Sequence, residues 1–205
     1  MKAIGVLGGT FNPVHNGHLV VADEVRLHIE LDEVIFMPAG RPWMKEGEAV
    51  ADAGHRLGML RLALEGKSVF SLSTMETERP GFTYTVDTIT RLRDSLGEDT
   101  EIYFILSWGT LSRLPEWREP ERLIRMCRLA VVPRPDYPRP DVEALNGVLP
   151  GLSGRLNIMD KPLVDISSSE VRRRVAAGLD IGWLVPAAVA EYIKEKGIYR
   201  AEESS

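Results

Sequence analysis

The sequence predicts a doubly wound α/β fold around a parallel sheet, with further helices at its C-terminal end. Three observations carry this. Apolar runs such as Val34-Ile35-Phe36-Met37 and Ile102-Tyr103-Phe104-Ile105-Leu106 are near-continuous, as in strands covered on both faces. Segments with helical spacing alternate with these runs, which calls for right-handed crossovers. The first run meets a glycine turn, Gly8-Gly9, and then a helical segment. Such a junction lets backbone approach a ligand and aims unpaired N–H groups at it.

Strands are predicted at 3–7, 33–38, 69–73, 101–106, 128–133 and 156–159. Between them, 17–30 places Val21, Ala22, Val25 and Ile29 at helical spacing. Leu57, Leu60 and Leu64 do the same in 53–65, and Val86, Ile89, Leu92 and Leu96 in 84–96. The stretch 39–52 is rich in glycine, proline and charge and reads as a long loop with a substrate role. The proline-rich stretch 133–154 reads as an irregular connection. Ser167 opens a C-terminal helix, Glu170 completes a capping box, and Gly178 stops it. Pro186 opens another as a first-turn proline, and Gly197 closes it. The expected organisation is one domain over 1–199, its C-terminal helical part at 166–199, and a frayed tail at 200–205.

The totals fit a globular protein: 205 residues, 44% hydrophobic and 27% charged, enough to bury a core. A net charge of −5 argues against a nucleic-acid-binding role, while leaving room for a local basic pocket. The one cysteine, Cys127, excludes an internal disulfide and reads as a core or boundary residue. The N-terminal apolar run is too short for a signal peptide, and no stretch approaches the roughly 20 apolar residues of a membrane span. The cytoplasm is the expected location, with no membrane partner.

Two constellations carry chemistry. His15 and His18, three residues apart at a helix entry, can face one way and donate hydrogen bonds to phosphate oxygens. The bland alternative is that they cap the helix. Zinc is a poor third, since no further ligands lie at close spacing. The second is Asp165-Ile166-Ser167-Ser168-Ser169-Glu170-Val171-Arg172, hydroxyls at a capped helix start with a cation one turn in. Hydroxyls, free N–H groups and a forked guanidinium suit a β- or γ-phosphate. Taken alone, it reads as an N-cap with a solvated basic face.

Together, Gly8-Gly9-Thr10-Phe11-Asn12-Pro13-Val14-His15-Asn16-Gly17-His18 and Ile166-Ser167-Ser168-Ser169-Glu170-Val171-Arg172 resemble the two signatures of the HxGH nucleotidyltransferases. Within that superfamily the chain is similar to the bacterial nicotinate-nucleotide adenylyltransferases. The similarity includes Phe82-Thr83-Tyr84-Thr85-Val86-Asp87-Thr88, Leu114-Pro115-Glu116-Trp117 and Val131-Val132-Pro133-Arg134-Pro135, in register over roughly 2–199. The resemblance implies a Rossmann-like nucleotidyltransferase that joins ATP and nicotinate mononucleotide into deamido-NAD and pyrophosphate, in NAD biosynthesis.

It also implies roles. His15 and His18 would contact the ATP phosphates, and Gly8, Gly9, Thr10 and Phe11 would line the nucleotide loop. Ser167, Ser168 and Arg172 would hold the far phosphates. Lys45 would meet a phosphate, Thr85 and Trp117 would bracket the nicotinate ring, and Arg134 would lie near the substrate phosphate. Mg²⁺ would arrive with ATP, with no metal ligand from protein side chains. The chain departs from the family at Ser107-Trp108-Gly109, where Gly-Ala-Asp is usual and the aspartate is expected on ribose. The 42–45 loop also lacks the family's histidine. Other readings stay open: an acceptor such as nicotinamide mononucleotide or phosphopantetheine, a nucleotide-binding protein with reduced or lost turnover, or a nucleic-acid module related to class I synthetases. Homo-oligomerisation is also left open.

Overall fold

The computed structural model describes residues 2–42 and 50–201. Six parallel strands form the main sheet: β1 (Lys2–Gly9), β2 (Glu33–Pro38), β4 (Phe70–Leu72), β6 (Thr100–Ser107), β7 (Arg128–Val132) and β8 (Leu156–Ile158). Their spatial order is β4-β2-β1-β6-β7-β8. The chain therefore winds outward from β1 in one direction and returns from β6 in the other. This doubly wound order places a crevice at the C-terminal ends of β1 and β6, where the winding reverses.

The strands bury both faces, as their continuous apolar runs require. Along β1 and β6, Leu7, Tyr103 and Ile105 enter one core, while Ile4, Val6, Ile102, Phe104 and Leu106 enter the other. The period of two is the pleat itself. Helices α1 (Asn16–Ile29), α2 (Ala53–Leu64) and α8 (Ala187–Lys196) cover the first face through Val25, Leu60 and Val189. Helices α3 (Thr85–Leu96) and α5 (Pro120–Met126) cover the second through Ile89 and Leu123. Cys127 is buried in this second core, and burial pushes its thiol up to about 12. It is a packing residue.

Each predicted strand and long helix has its counterpart, with ends that differ by at most two residues. The connections differ more. The stretch 133–154 is not wholly irregular: α6 (Val142–Val148) crosses it, and a 3-10 turn (Ser153–Arg155) ends it. Helix α6 has no buried residue, so it lacks the apolar stripe that would betray it. Helix α4 (Trp108–Ser112) and the seven-residue α5 are likewise too short for periodicity to reveal. Within 39–52, β3 (Arg41–Pro42) pairs with β5 (Phe82–Thr83) in a small second sheet, and Lys45 lies outside the described residues.

At the C-terminal end, α7 (Ser168–Ala176) begins on Ser167, whose Oγ accepts the Glu170 N–H at 3.1 Å. Only that half of the capping box forms, because the Glu170 carboxylate pairs with Arg173 instead. Gly178 follows in the left-handed region, at φ 67°. Pro186 is the N-cap of α8 and not its first helical residue, a one-place correction. No described helix is long and apolar enough to cross a membrane.

Candidate functional site

The floor of the crevice is the loop from β1 into α1. Its left-handed residue is not a glycine but Phe11, at φ 48°. That turn buries the ring, which meets the His18 ring edge-on at 4.9 Å and the Phe36 ring at 5.8 Å. The Phe11 ring therefore supports His18 from below. His15 is the N-cap of α1, with extended backbone, and its N–H donates to His18 Nδ1 at 3.2 Å. The two imidazoles stack at 3.6 Å with 24° between their planes.

The two residues between the histidines hold this arrangement. Asn16 donates its backbone N–H to Leu184 O at 2.8 Å and its amide to Trp183 O at 3.0 Å, docking the helix start on the C-terminal region. A Cβ on Gly17 would fall 2.9 Å from Val164 Cγ1 and 3.0 Å from His15 Nδ1. Glycine at 17 is therefore what lets the rings stack.

The histidines are neutral. Burial lowers His15 from 6.5 to about 4, with a smaller push from Arg134. Burial also takes His18 well below 6.5, with further contributions from His15 and Arg134. Since His18 Nδ1 accepts a hydrogen bond, its single proton sits on Nε2. His18 is thus a neutral N–H donor at pH 7. A stability consequence follows. Between pH 6.5 and about 4 the unfolded chain binds protons that folded His15 refuses. Stability should be complete above pH 6.5 and fall as pH drops through that window, His15 contributing on the order of 3 kcal/mol. Thermal melts of wild type and His15→Gln check this: the difference in melting temperature between them should change from pH 7 to pH 4.5. A constant difference refutes it.

The second constellation arrives from the other end of the chain. Ser168 Oγ donates to Pro13 O at 2.8 Å, and Arg172 Nη1 donates to Asn12 O at 2.8 Å. These bonds join the start of α7 to the histidine loop, so the unpaired first-turn N–H groups of α7 face the same hollow. The Ser168 hydroxyl proton is committed to Pro13, while Ser167 Oγ and Ser169 Oγ only accept hydrogen bonds and keep their protons, so the α7 backbone, these two hydroxyls and Arg172 are the donors for an anion. Arg173 and Arg174 pair with Glu170 instead.

The cleft so formed holds about 590 Å³. Gly8, Gly9, Thr10, Phe11, His15, His18, Ser167, Ser168 and Arg172 line it. Thr85, at the start of α3, Trp117 and Arg134 line it as well. Trp117 follows the 3-10 turn Leu114–Glu116 and stands edge-on to Phe104 at 6.0 Å. Of the residues to which the resemblance assigns a role, Lys45 lies outside the described residues and the others line the cleft. Trp108 does not line the cleft but packs into the second core. Among the described residues, no three His, Cys, Asp or Glu side chains gather as a metal site.

The sequence reading missed three supports. Arg56, 2% exposed, donates to Thr10 O (2.9 Å), Ala39 O (2.8 Å), Gly40 O (3.3 Å) and Ala51 O (3.1 Å). Asn12 Oδ1 accepts from Tyr199 OH at 2.7 Å and from Ala51 N at 3.1 Å. Tyr199 thereby ties the end of the chain to the histidine loop. For Arg56 a signal existed: it shares one helical stripe with Met59, Leu60 and Ala63, all buried. A charge on an apolar stripe is a group with partners to find.

Comparison with known proteins gives the chain's family and fold. The family model described as cytidylyltransferase-like matches residues 6–174. A relative from Dehalococcoides mccartyi, named "Probable nicotinate-nucleotide adenylyltransferase", is 47% identical over 198 residues, covering 97% of each chain. One of the same name from Thermomicrobium roseum is 40% identical over 204 residues, covering 100% of this chain and 94% of the relative. Among solved structures, the Plasmodium falciparum nicotinic acid mononucleotide adenylyltransferase complexed with NaAD superposes with a TM-score of 0.80. It is 20% identical, over 97% of this chain and 98% of that one, a likeness that speaks to the fold.

Proposed function

The chain belongs to the nicotinate-nucleotide adenylyltransferases, within the cytidylyltransferase-like family, and from that premise we propose how its cleft joins ATP to nicotinate mononucleotide. The products are deamido-NAD and pyrophosphate, in NAD biosynthesis. The observation that carries the proposal is convergence: His15, His18, Arg172 and the start of α7 share one hollow with Thr85, Trp117 and Arg134.

The mononucleotide phosphate is an anion near pH 7, so no base is needed to create the nucleophile. One of its oxygens forms a bond to the ATP α-phosphorus as the α–β bridging bond breaks, and pyrophosphate leaves with that bonding pair. The difficulty is repulsion: unit charges 4 Å apart interact by about 4 kcal/mol at an effective dielectric near 20. Positioning and electrostatics are what such transfers require. His18 Nε2–H donates to the α-phosphate oxygens as charge grows there. Arg172 and the α7 N–H groups hold the β- and γ-phosphates. Arg134 faces the remaining phosphate charge, and the same role is assigned to Lys45, which lies outside the described residues. The first N–H groups of α3, near Thr85, take the nicotinate carboxylate, and Trp117 covers the ring.

Mg²⁺ fits this donor set as a companion of the triphosphate. The cleft offers guanidinium, hydroxyl and N–H groups, and its Glu76 carboxylate already accepts the Thr88 hydroxyl at 2.6 Å. When bound, the ion neutralises phosphate charge.

A coupled assay for pyrophosphate with the acid and amide mononucleotides side by side tests the proposal. A helix N-terminus favours a carboxylate over an amide, so kcat/KM should be at least roughly tenfold higher with the acid. ATP binding without pyrophosphate release on either acceptor would leave a nucleotide-binding protein and overturn it.

A further inference from the structure

Position 109 is a glycine, and the reason lies across the cleft rim. Gly109 sits in the first turn of α4, between the cleft-lining Ser107 and Thr110. A Cβ there would lie 2.4, 2.6 and 2.8 Å from Cδ1, Cε1 and Cγ of Tyr137. Real Cβ atoms do not come so close, so the Tyr137 ring occupies the space a side chain at 109 would need. Tyr137 follows β7 in a tight turn, its N–H bonded to Arg134 O at 3.0 Å. The Arg134 guanidinium lies over the Tyr137 ring, 5.9 Å from its centroid. Among the described residues that guanidinium has no ion pair and no hydrogen bond. It lines the cleft, and its charge is felt at both His15 and His18. An exposed arginine with four side-chain torsions would otherwise sample many directions.

We propose that Gly109 and Tyr137 form a seat that positions Arg134 over the anion cleft, with Tyr137 acting through Arg134 as a positioning residue. The absent side chain at 109 admits the ring, and the ring holds the cation by cation–π attraction and contact. This rests on the reading of the cleft as a site for phosphate-bearing nucleotides. It also gives Ser107-Trp108-Gly109 a physical sense: the rim acquires an oriented cation where the family's usual sequence has an acid.

The test is a set of variants with ATP and nicotinate mononucleotide each titrated alone, followed by steady-state kinetics. Tyr137→Phe should keep wild-type affinity, since only the ring is used. Tyr137→Ala should weaken binding of at least one nucleotide about threefold to tenfold and raise its KM by the same factor, with kcat within about twofold. Gly109→Ala should do likewise by displacing the ring. The Gly109→Ala/Tyr137→Ala double variant should be no worse than Tyr137→Ala, and Tyr137→Ala should add nothing to Arg134→Ala. Tyr137 is 46% exposed, so its truncation should leave the melting temperature within a few degrees. Unchanged affinity in Tyr137→Ala, or full additivity with Arg134→Ala, overturns the proposal. Wild type binding neither nucleotide would instead overturn the functional reading on which it rests.

Discussion

Replacing His18 by alanine should lower kcat at least a hundredfold while the protein still folds. Removing a donor aimed at developing charge costs about 2.7–4 kcal/mol of transition-state stabilisation, which is a factor of 10² to 10³. His18 has the geometry for that role. The His15 N–H occupies its Nδ1, the Phe11 ring fixes its plane, and burial keeps it neutral. Its Nε2–H is therefore present throughout the physiological pH range, and turnover should not track a titration near pH 6.5. The structural cost of the variant is the lost acceptor for one N–H at the α1 start, about 1 kcal/mol. Pre-steady-state measurement of deamido-NAD formation separates the chemical step from product release. A variant that keeps its melting temperature within a few degrees and its turnover within tenfold of wild type would remove His18 from this role.

The neutrality of the pair changes how it contributes. Two imidazolium ions stacked at 3.6 Å would repel each other in a buried site. In the proposed mechanism the attraction for the triphosphate's net charge therefore comes from Arg172 and the first turn of α7, with Arg134 facing the other phosphate. The histidines supply direction, in a place that charge alone would not specify. The two motifs, distant in sequence, divide the work in this way.

Much of this was legible because it is local. The strand-to-helix junction, the histidine spacing and the Ser167 cap are each written within a few consecutive residues, although Gly8 and Gly9 end β1 and the turn itself is made at Phe11. The six strands were legible because a sheet buried on both faces demands continuous apolar runs. What escaped is decided at long range or in pieces too short for a period. Helix α4 has five residues, and β3 and β5 have two each. Phe11 adopts a conformation usual for glycine because burying its ring under His18 compensates the strain. Ser168 spends its proton on Pro13, a partner no motif could name. The Tyr137 ring fills the space a side chain at Gly109 would need, a contact decided at long range.

Arg56 is the sharpest instance of long-range design, and its removal should have the other large effect. Arg56→Leu is expected to lower stability by about 3–5 kcal/mol, a substantial part of the 5–15 kcal/mol typical of a folded domain. The guanidinium stays charged even though burial lowers its pKa, and four backbone carbonyls surround it. Those carbonyls belong to the histidine loop (Thr10), to the segment leaving β2 (Ala39, Gly40) and to the residue before α2's N-cap (Ala51). Leucine would fill much of the volume but leave the carbonyls buried without donors, at about 1–3 kcal/mol for each that water cannot reach. Arg56→Lys keeps the charge but carries all its donors on one nitrogen, so it should fall between the two. Urea midpoints at constant slope measure the series. Binding should suffer beyond stability, because Thr10 and Ala39 flank the cleft and Arg56 is the side chain that bonds to both. At a temperature where the folded fraction of Arg56→Lys is complete, its KM for ATP should still exceed that of wild type severalfold. A wild-type midpoint in Arg56→Leu would show that the four carbonyls find other partners, and the loops would then not depend on this arginine.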